Sequence, residues 1–255
     1  MARVLVPLPD HDFDVTEVAV PCRLLLDAGH ELTFATEESG AIPAADPLLL
    51  TGVVFGQLGA EPEPKDFYQE LIETPEFRQT IAWREIVPKL FDGLLLPGGH
   101  AQGMRQYLGS EILQTKVAEF WELGRPVAAI CHGVLVLARA KSHGRSLLHD
   151  RQTTCLPKYL ERLAYFSTAW KLGRYYRTYD AYVEDEVCDA LTEPTSQFRR
   201  GPINFGARDS RDDFSASFLV EHENYLSARW PGDAYALGHR FAEMLSATTR
   251  DTTGE

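Results

Sequence analysis

The first part of the chain alternates short apolar runs with a stretch of helical spacing. The run at residues 3–8 predicts a strand, and the alternation in residues 31–36 predicts a second one. Between them, apolar side chains recur at helical intervals over residues 15–29, which end at Gly29, a residue typical of helix ends. A strand, loop, helix, strand order predicts a parallel sheet with right-handed connections.

Two further apolar runs predict buried strands in the middle of the chain. The sequence FDGLLLPGGHAQGM (91–104) predicts a strand that ends in a glycine-rich turn, and RPVAAI (125–130) predicts its neighbour. Residues 110–124 between them form an amphipathic pattern behind Ser110, a good N-cap residue. The apolar sequence over 133–140 begins another helix directly after the second strand.

Two regions break this pattern. Residues 37–90 are rich in proline, glycine and acidic side chains, and we interpret them as an insertion that covers one end of the sheet. The second region is residues 150–210. There we predict a helix over 157–173, a strand and a short helix over 178–191, and a loop over 195–210.

The last part of the chain returns to a regular pattern. Residues 217–230 predict a hairpin with its turn at Glu223–Asn224, followed by a closing helix with Pro231 in its first turn. We therefore predict one α/β domain over 1–248, with a mostly parallel sheet between helices. The polar residues 249–255 predict a disordered tail.

Composition and charge narrow the class of function. The chain has 255 residues, with 25 basic and 37 acidic side chains and a net charge of -12. This balance argues against binding to nucleic acid or anionic membranes, since both require a basic surface. No apolar run approaches the ~18 residues of a spanning helix. The 4 cysteines lie far apart without a C-x-x-C pair, which is typical of reduced thiols and predicts a cytoplasmic protein.

The sequence GRPVAAICHGVLVLARA (124–140) places a cysteine between a predicted strand and a predicted helix. Cys131 would lie at the helix N-terminus, which favours thiolate, and Gly133 permits a tight turn. The P-G-G turn after the neighbouring strand would let the N–H groups of Gly99 and His132 form an oxyanion hole beside the sulfur. A buried core cysteine at the strand end is the alternative, and the local pattern leaves both open.

A carboxyl group is predicted at the same edge of the sheet. Asp14 and Glu17 fit a D-x-x-E capping box at the start of the first helix. However, Pro21 has no N–H to bond the carbonyl of Glu17, so this first turn is irregular. Because the helix follows the first strand, its start lies at the sheet edge that carries Cys131 and Gly99, where open α/β sheets bind ligands.

Taken together, these motifs resemble a known family. The sequences LLLPGGH, AAICHGVLVLA and DVTEVAVPCRLLLDAGHELTFAT are similar to those of the ThiJ/PfpI superfamily. The insertion and the CHG sequence resemble its heat-shock glyoxalase III and chaperone branch. The resemblance implies a flavodoxin-like, class I glutamine amidotransferase-like fold, a homodimer, a small-molecule substrate and no cofactor.

The resemblance also implies roles for individual residues. Cys131 matches the nucleophile, and Glu17 matches the acidic residue that contacts its sulfur. Gly99 and the His132 amide match the oxyanion hole, and the His132 side chain matches an acid or base. Possible substrate contacts are Gly98, His100 and Arg229.

The chain departs from the family pattern at two places. Lys158 stands where one branch has an aspartate that partners the histidine, and Glu161 is the nearest acidic substitute. Amidotransferases of this fold have an H-x-E pair late in the chain, whereas His222 is directly followed by Glu223 here. We therefore do not expect amidotransferase activity.

The resemblance favours a lyase, hydro-lyase or hydrolase with a nucleophilic cysteine. Its leading form is a glyoxalase III-like enzyme that converts a 2-oxoaldehyde to a 2-hydroxy acid. A hydratase or biosynthetic tailoring enzyme with the same residues, whose pocket the aromatic segment 163–179 would line, is the first alternative. A redox sensor or chaperone is the second. His11, Asp12 and His100 could meet at this sheet edge, but D-H-D is more typical of a solvated turn, so we expect no metal.

Overall fold

A seven-stranded sheet forms the centre of the structure, a computed structural model that describes residues 1–204 and 206–251. The strands of the described residues, seven of which belong to this sheet, are β1 (Arg3–Pro7), β2 (His11–Phe13), β3 (Glu31–Thr36), β4 (Ala44–Ala45), β5 (Ile81–Ala82), β6 (Gly93–Leu96), β7 (Val127–Ile130), β8 (Lys141–Ser142), β9 (Arg145–Ser146), β10 (Leu219–His222) and β11 (Tyr225–Ala228).

The main sheet has the order β10-β11-β7-β6-β1-β3-β5. All its neighbouring pairs are parallel except β10 and β11, which form the predicted hairpin around Glu223–Asn224. The prediction of a mostly parallel α/β sheet is thus confirmed. Strands β2 and β4, and separately β8 and β9, form two small additional sheets.

Helices flank this sheet. They are α1 (Val15–Asp27), α2 (Pro47–Thr51), α3 (Pro62–Ile72), α4 (Pro75–Arg78), α5 (Met104–Leu108), α6 (Glu111–Trp121), α7 (Val134–Arg139), α8 (Lys158–Leu172), α9 (Val183–Asp189), α10 (Pro194–Gln197) and α11 (Ala234–Asp251). Helix α1 packs against α3 and α11, and α6 packs against α7. No helix in the described part of the chain is long and apolar enough to cross a bilayer.

The structure corrects three of the sequence predictions. The insertion does not only cover the sheet, because its strand β5 extends the sheet at the edge beside β3. The strand expected at the start of 178–191 is absent from the described residues, and the carbonyls of Thr178 and Asp180 accept from the side chains of Arg105 and Arg177 instead of from a neighbouring strand. Helix α11 continues to Asp251, into the expected tail, and residues 252–255 lie outside the described residues.

The centre of the sheet is buried on both faces. Every residue of β6 and β7 is buried, because helices cover both sides of these strands. Parallel strands present their carboxyl ends at one edge, so the segments after β1, β6 and β7 meet there. The chain turns sharply after β7 through a 3₁₀ turn, Cys131–Gly133, before α7 begins.

This turn predicts a large loss of stability for Gly133→Ala. A Cβ at Gly133 would lie 2.1 Å from the Leu96 carbonyl oxygen, a backbone atom that cannot rotate away. We expect a loss of about 3 kcal/mol in the free energy of unfolding, measured by urea denaturation. Gly124→Ala is the control, since Gly124 has φ 66° but open space around it, and should cost about 1–2 kcal/mol. Equal losses in the two variants would contradict the packing assigned to Gly133.

Candidate active site

Cys131 lies at a strained position of the backbone. It has φ 58°, in the left-handed region that residues with a side chain avoid, and its side chain is fully buried. Two residues later, Gly133 packs against the end of β6 so closely that a Cβ there would overlap the Leu96 carbonyl oxygen. Strained residues of this kind concentrate at functional sites, so the backbone itself marks Cys131 as a candidate.

Only half of the predicted capping box forms. The Asp14 carboxylate accepts hydrogen bonds from the backbone N–H groups of Thr16 (2.8 Å) and Glu17 (3.1 Å), and so caps α1. Glu17 does not return to the Asp14 backbone, because its Oε2 accepts from the Gly98 N–H at 2.9 Å. The Asp14 N–H instead donates to the Gly98 carbonyl at 2.9 Å. The start of α1 is thereby tied to the turn after β6.

Burial controls the charge of Glu17. It raises the pKa of this carboxyl well above the ordinary value, and the nearby Asp14 raises it further, whereas an interaction with Cys131 lowers it. The Oε1 atom is buried and has no hydrogen-bond partner among the described residues. Burial therefore favours the protonated, neutral form of this carboxyl beside the sulfur.

Burial also determines the state of the thiol. It raises the pKa of Cys131, and a negative charge on Glu17 would raise it further, while the backbone N–H of His132 lowers the pKa. The position at the helix start favours the thiolate, as expected, but burial acts in the opposite direction and is the larger effect. Cys131 needs a base within reach to become a nucleophile.

His132 meets this need through a chain of three hydrogen-bonding groups. Its Nδ1 lies 3.4 Å from the Cys131 Sγ, and its Nε2 lies 3.2 Å from the Thr178 Oγ1. The Thr178 hydroxyl donates to the His100 carbonyl at 2.6 Å, so its oxygen accepts from the His132 Nε2–H. This order leaves the lone pair of Nδ1 facing the thiol. Burial, followed by the neighbouring His100, holds the pKa of His132 well below its usual range, so the ring is neutral.

Thr178 takes the place of the acidic partner that the sequence led us to seek. Lys158 forms an ion pair with Asp185 at 2.6 Å. Glu161 accepts from Arg177 at 2.7 Å and from the backbone of Val183 at 3.0 Å, so it belongs to a separate buried ion pair. Thr178 could not be predicted from the sequence, because it lies 46 residues beyond His132 in a segment without a regular pattern.

The turn after β6 brings backbone groups to the sulfur. A Cβ at Gly98 would lie 2.7 Å from the His132 nitrogen and 2.8 Å from the Glu17 Oε2, so only glycine fits there. The Gly98 N–H is occupied by Glu17, whereas the Gly99 N–H has no hydrogen bond to any described residue. Gly99 and His132 therefore remain the two candidate donors of an oxyanion hole.

A cavity of about 220 Å³ is lined by His100, whereas the buried Cys131 and His132 are not part of its wall. The His100 ring lies 4.9 Å from the His132 ring and 6.2 Å from that of Tyr176. Most of the cavity wall is apolar and comes from the insertion and from α8, and its polar lining includes Asp14 and Arg208. The insertion (37–90) and the irregular region (150–210) thus form most of the wall together. The Tyr176 hydroxyl links them by donating to Asp46 at 2.7 Å.

Two other candidate groups have different surroundings. Arg229 is buried and donates to Asp233 twice, at 2.8 and 2.9 Å, and to the carbonyls of Pro202 and Ala216. These partners hold its guanidinium in a buried ion pair, so the substrate contact implied by the resemblance stays a prediction. Asp12 accepts from the Gly103 N–H at 2.9 Å, while His100 is grouped with Cys131 and His132 rather than with His11 and Asp12.

The hydrogen-bond chain predicts that Thr178→Val slows reaction of Cys131 with iodoacetamide by about 10-fold at neutral pH. The substitution removes the acceptor that holds the His132 lone pair towards the thiol. A positioned general base typically contributes ~10²–10⁴-fold to the rate, and we expect the loss of orientation to remove part of this contribution. Mass spectrometry of the Cys131 peptide over time gives the rate. Thr178→Ser keeps the hydroxyl and should react at the wild-type rate. If the valine variant also does so, Thr178 does not orient His132.

Comparisons with known proteins identify the family. A family model described as "ThiJ/PfpI family-like" matches residues 8–202. A deglycase of Thermococcus kodakarensis is 40% identical over 165 residues, 65% of this chain and 69% of that protein. A deglycase of Pyrococcus abyssi is 26% identical over 243 residues, which cover 95% of this chain and 99% of the relative. The crystal structure of glyoxalase III from Candida albicans has the same fold, with a TM-score of 0.66, 17% identity and 96% of each chain covered. The chain belongs to the ThiJ/PfpI family.

Proposed function

We propose that the protein is a cysteine-dependent enzyme that converts a small 2-oxoaldehyde to a 2-hydroxy acid without a cofactor. The observation that carries this proposal is the chain of Cys131, neutral His132 and Thr178 beside a small cavity. The names of its relatives, deglycases and a glyoxalase III, support an enzyme of this family type.

The first step is addition of sulfur to the aldehyde. His132 Nδ1 accepts the thiol proton as the sulfur attacks the aldehyde carbon, and the product is a hemithioacetal. The N–H groups of Gly99 and His132 stabilise the oxygen that becomes negative during attack, before it receives a proton. A neutral imidazole can accept this proton, whereas the protonated form could not.

The second step moves hydrogen within the substrate. A base removes the proton from the former aldehyde carbon, giving an enediol, and a proton returns to the neighbouring carbon to give a thioester. Glu17 and His132 are the groups that carry these protons. The former aldehyde carbon is oxidised and the ketone carbon is reduced, so no external electron acceptor is required. Water then hydrolyses the thioester, which releases the 2-hydroxy acid and returns the proton to the sulfur.

The cavity favours a small substrate with an apolar side. Its volume of about 220 Å³ is below the roughly 300–1,000 Å³ of typical drug-sized sites. Leucine and valine side chains from the insertion and α8 suit a methyl or short alkyl group, and His100 lies between this wall and the sulfur.

The alternatives differ in how well they suit this site. A hydratase would use the same sulfur, and Leu163 and Tyr176 of the aromatic segment do line the cavity. The substrate panel should therefore contain isonitriles and small amides as well as oxoaldehydes. A peroxide sensor is less favoured, because burial raises the pKa of Cys131 and reduces the reactive thiolate. A homodimer remains a prediction.

Cys131→Ser should abolish glutathione-independent formation of lactate from methylglyoxal, with a loss of at least about 10³-fold in kcat/KM. The assay follows lactate enzymatically in buffer free of thiols. Cys155→Ser is the matched control, because Cys155 is also fully buried but lies outside the site, and it should retain activity in the folded protein. If the wild-type protein produces no lactate, or if the Cys131→Ser variant produces it at the same rate, the proposal is wrong.

A further inference from the structure

We propose that His100, Cys131 and His132 form a binding site for Zn²⁺ that reversibly blocks the nucleophile. One ligand atom from each residue lies within 4.8 Å of the other two, with Cys131 and His132 buried and His100 partly buried. This inference goes beyond the proposed reaction, which uses no metal.

The separation of the first two ligand atoms suits a single zinc ion. Zinc binds thiolate at about 2.3 Å and imidazole at about 2.0–2.1 Å in tetrahedral geometry, so the two atoms lie about 3.5 Å apart when both are bound. The Cys131 Sγ and the His132 Nδ1 lie 3.4 Å apart in this structure. Two of the three ligands therefore need little rearrangement, and the His100 ring has only to move towards them.

Both histidines are prepared to act as ligands. The His132 Nε2–H is oriented by Thr178, the kind of outer hydrogen bond that metal-binding histidines make, and it leaves Nδ1 free for the ion. The His100 Nε2 is buried without a hydrogen-bond partner among the described residues, so this ring has a polar atom to satisfy.

The donor set selects the class of metal. One thiolate and two imidazoles suit Zn²⁺, whereas Mg²⁺ and Ca²⁺ prefer oxygen ligands. His100 also lines the cavity, so one of the three ligands lies at the wall from which an ion would arrive. Glu17 belongs to the same site but is not part of the three-residue group.

Binding and catalysis exclude one another. Zinc replaces the thiol proton, so that the thiol and Zn²⁺ give a zinc thiolate and one released proton. The sulfur lone pair and the His132 Nδ1 are then both bound to the ion, and neither can take part in addition to a carbonyl. A chelator reverses the block, because no covalent bond to carbon has formed.

The test is direct zinc binding by the full chain after treatment with a chelator. Competition with a chromogenic zinc indicator should give one ion per chain for the wild-type protein. Cys131→Ser and His100→Asn should each bind zinc at least about 100-fold more weakly. Loss of a hydrogen bond to a metal ligand already lowers metal affinity by about 10–100-fold, and loss of the ligand itself should lower it at least as much. Cys155→Ser should bind like the wild-type protein, and excess Mg²⁺ should not compete. Circular dichroism checks the fold of each variant.

Cobalt substitution identifies the ligand. Co²⁺ bound to the wild-type protein should give a thiolate-to-metal charge-transfer band that is lost in Cys131→Ser. Zinc binding of equal strength in the wild-type and Cys131→Ser proteins, or no charge-transfer band, would overturn the site. If His100→Asn binds zinc as strongly as the wild-type protein, only Cys131 and His132 are ligands, and the proposed three-residue site would also be overturned.

The binding titration is independent of turnover. If the wild-type protein does not convert oxoaldehydes, the proposed function fails while the zinc titration still decides the metal site. If it does convert them, Zn²⁺ should inhibit the reaction and a chelator should restore it.

Discussion

The close contact between the turns that follow β6 and β7 is the constraint on which the rest of the site depends. Gly98 and Gly133 pack against backbone atoms with no space for a side chain. This contact leaves Cys131 at φ 58° with its sulfur among the polar groups at the sheet edge. The Asp14–Gly98 hydrogen bond ties the first helix to the same point, so that the position of Glu17 is set by the same packing.

Burial then decides which groups are charged. It raises the pKa values of Glu17 and Cys131 and lowers those of His100 and His132. The site therefore rests without a charged pair, in contrast to a triad whose carboxylate stabilises an imidazolium. A threonine hydroxyl suits such a neutral arrangement, since it orients the ring by a hydrogen bond without favouring its protonated form. The same neutral imidazoles and thiol are the forms from which a zinc site assembles.

The sequence carried enough information to predict the parts of the site that come from local motifs. The apolar strand before Cys131, the P-G-G turn and the Asp14 cap each lie within a few residues of the group they position. Thr178 could not be found in this way, because its role depends on a contact across 46 residues. The edge strand β5 has only two residues, too few for a periodic pattern. Arg229 was assigned to the substrate by resemblance, whereas its buried pair with Asp233 is visible only in three dimensions.

The central claim is that a neutral His132 presents the lone pair of Nδ1 to Cys131. The most direct measurement is ¹⁵N NMR of the His132 ring in the free protein between about pH 5 and pH 8, the range in which an ordinary histidine titrates. A single tautomer with the proton on Nε2 is expected throughout this range. A ring that is doubly protonated near neutral pH, or that carries its proton on Nδ1, would contradict it.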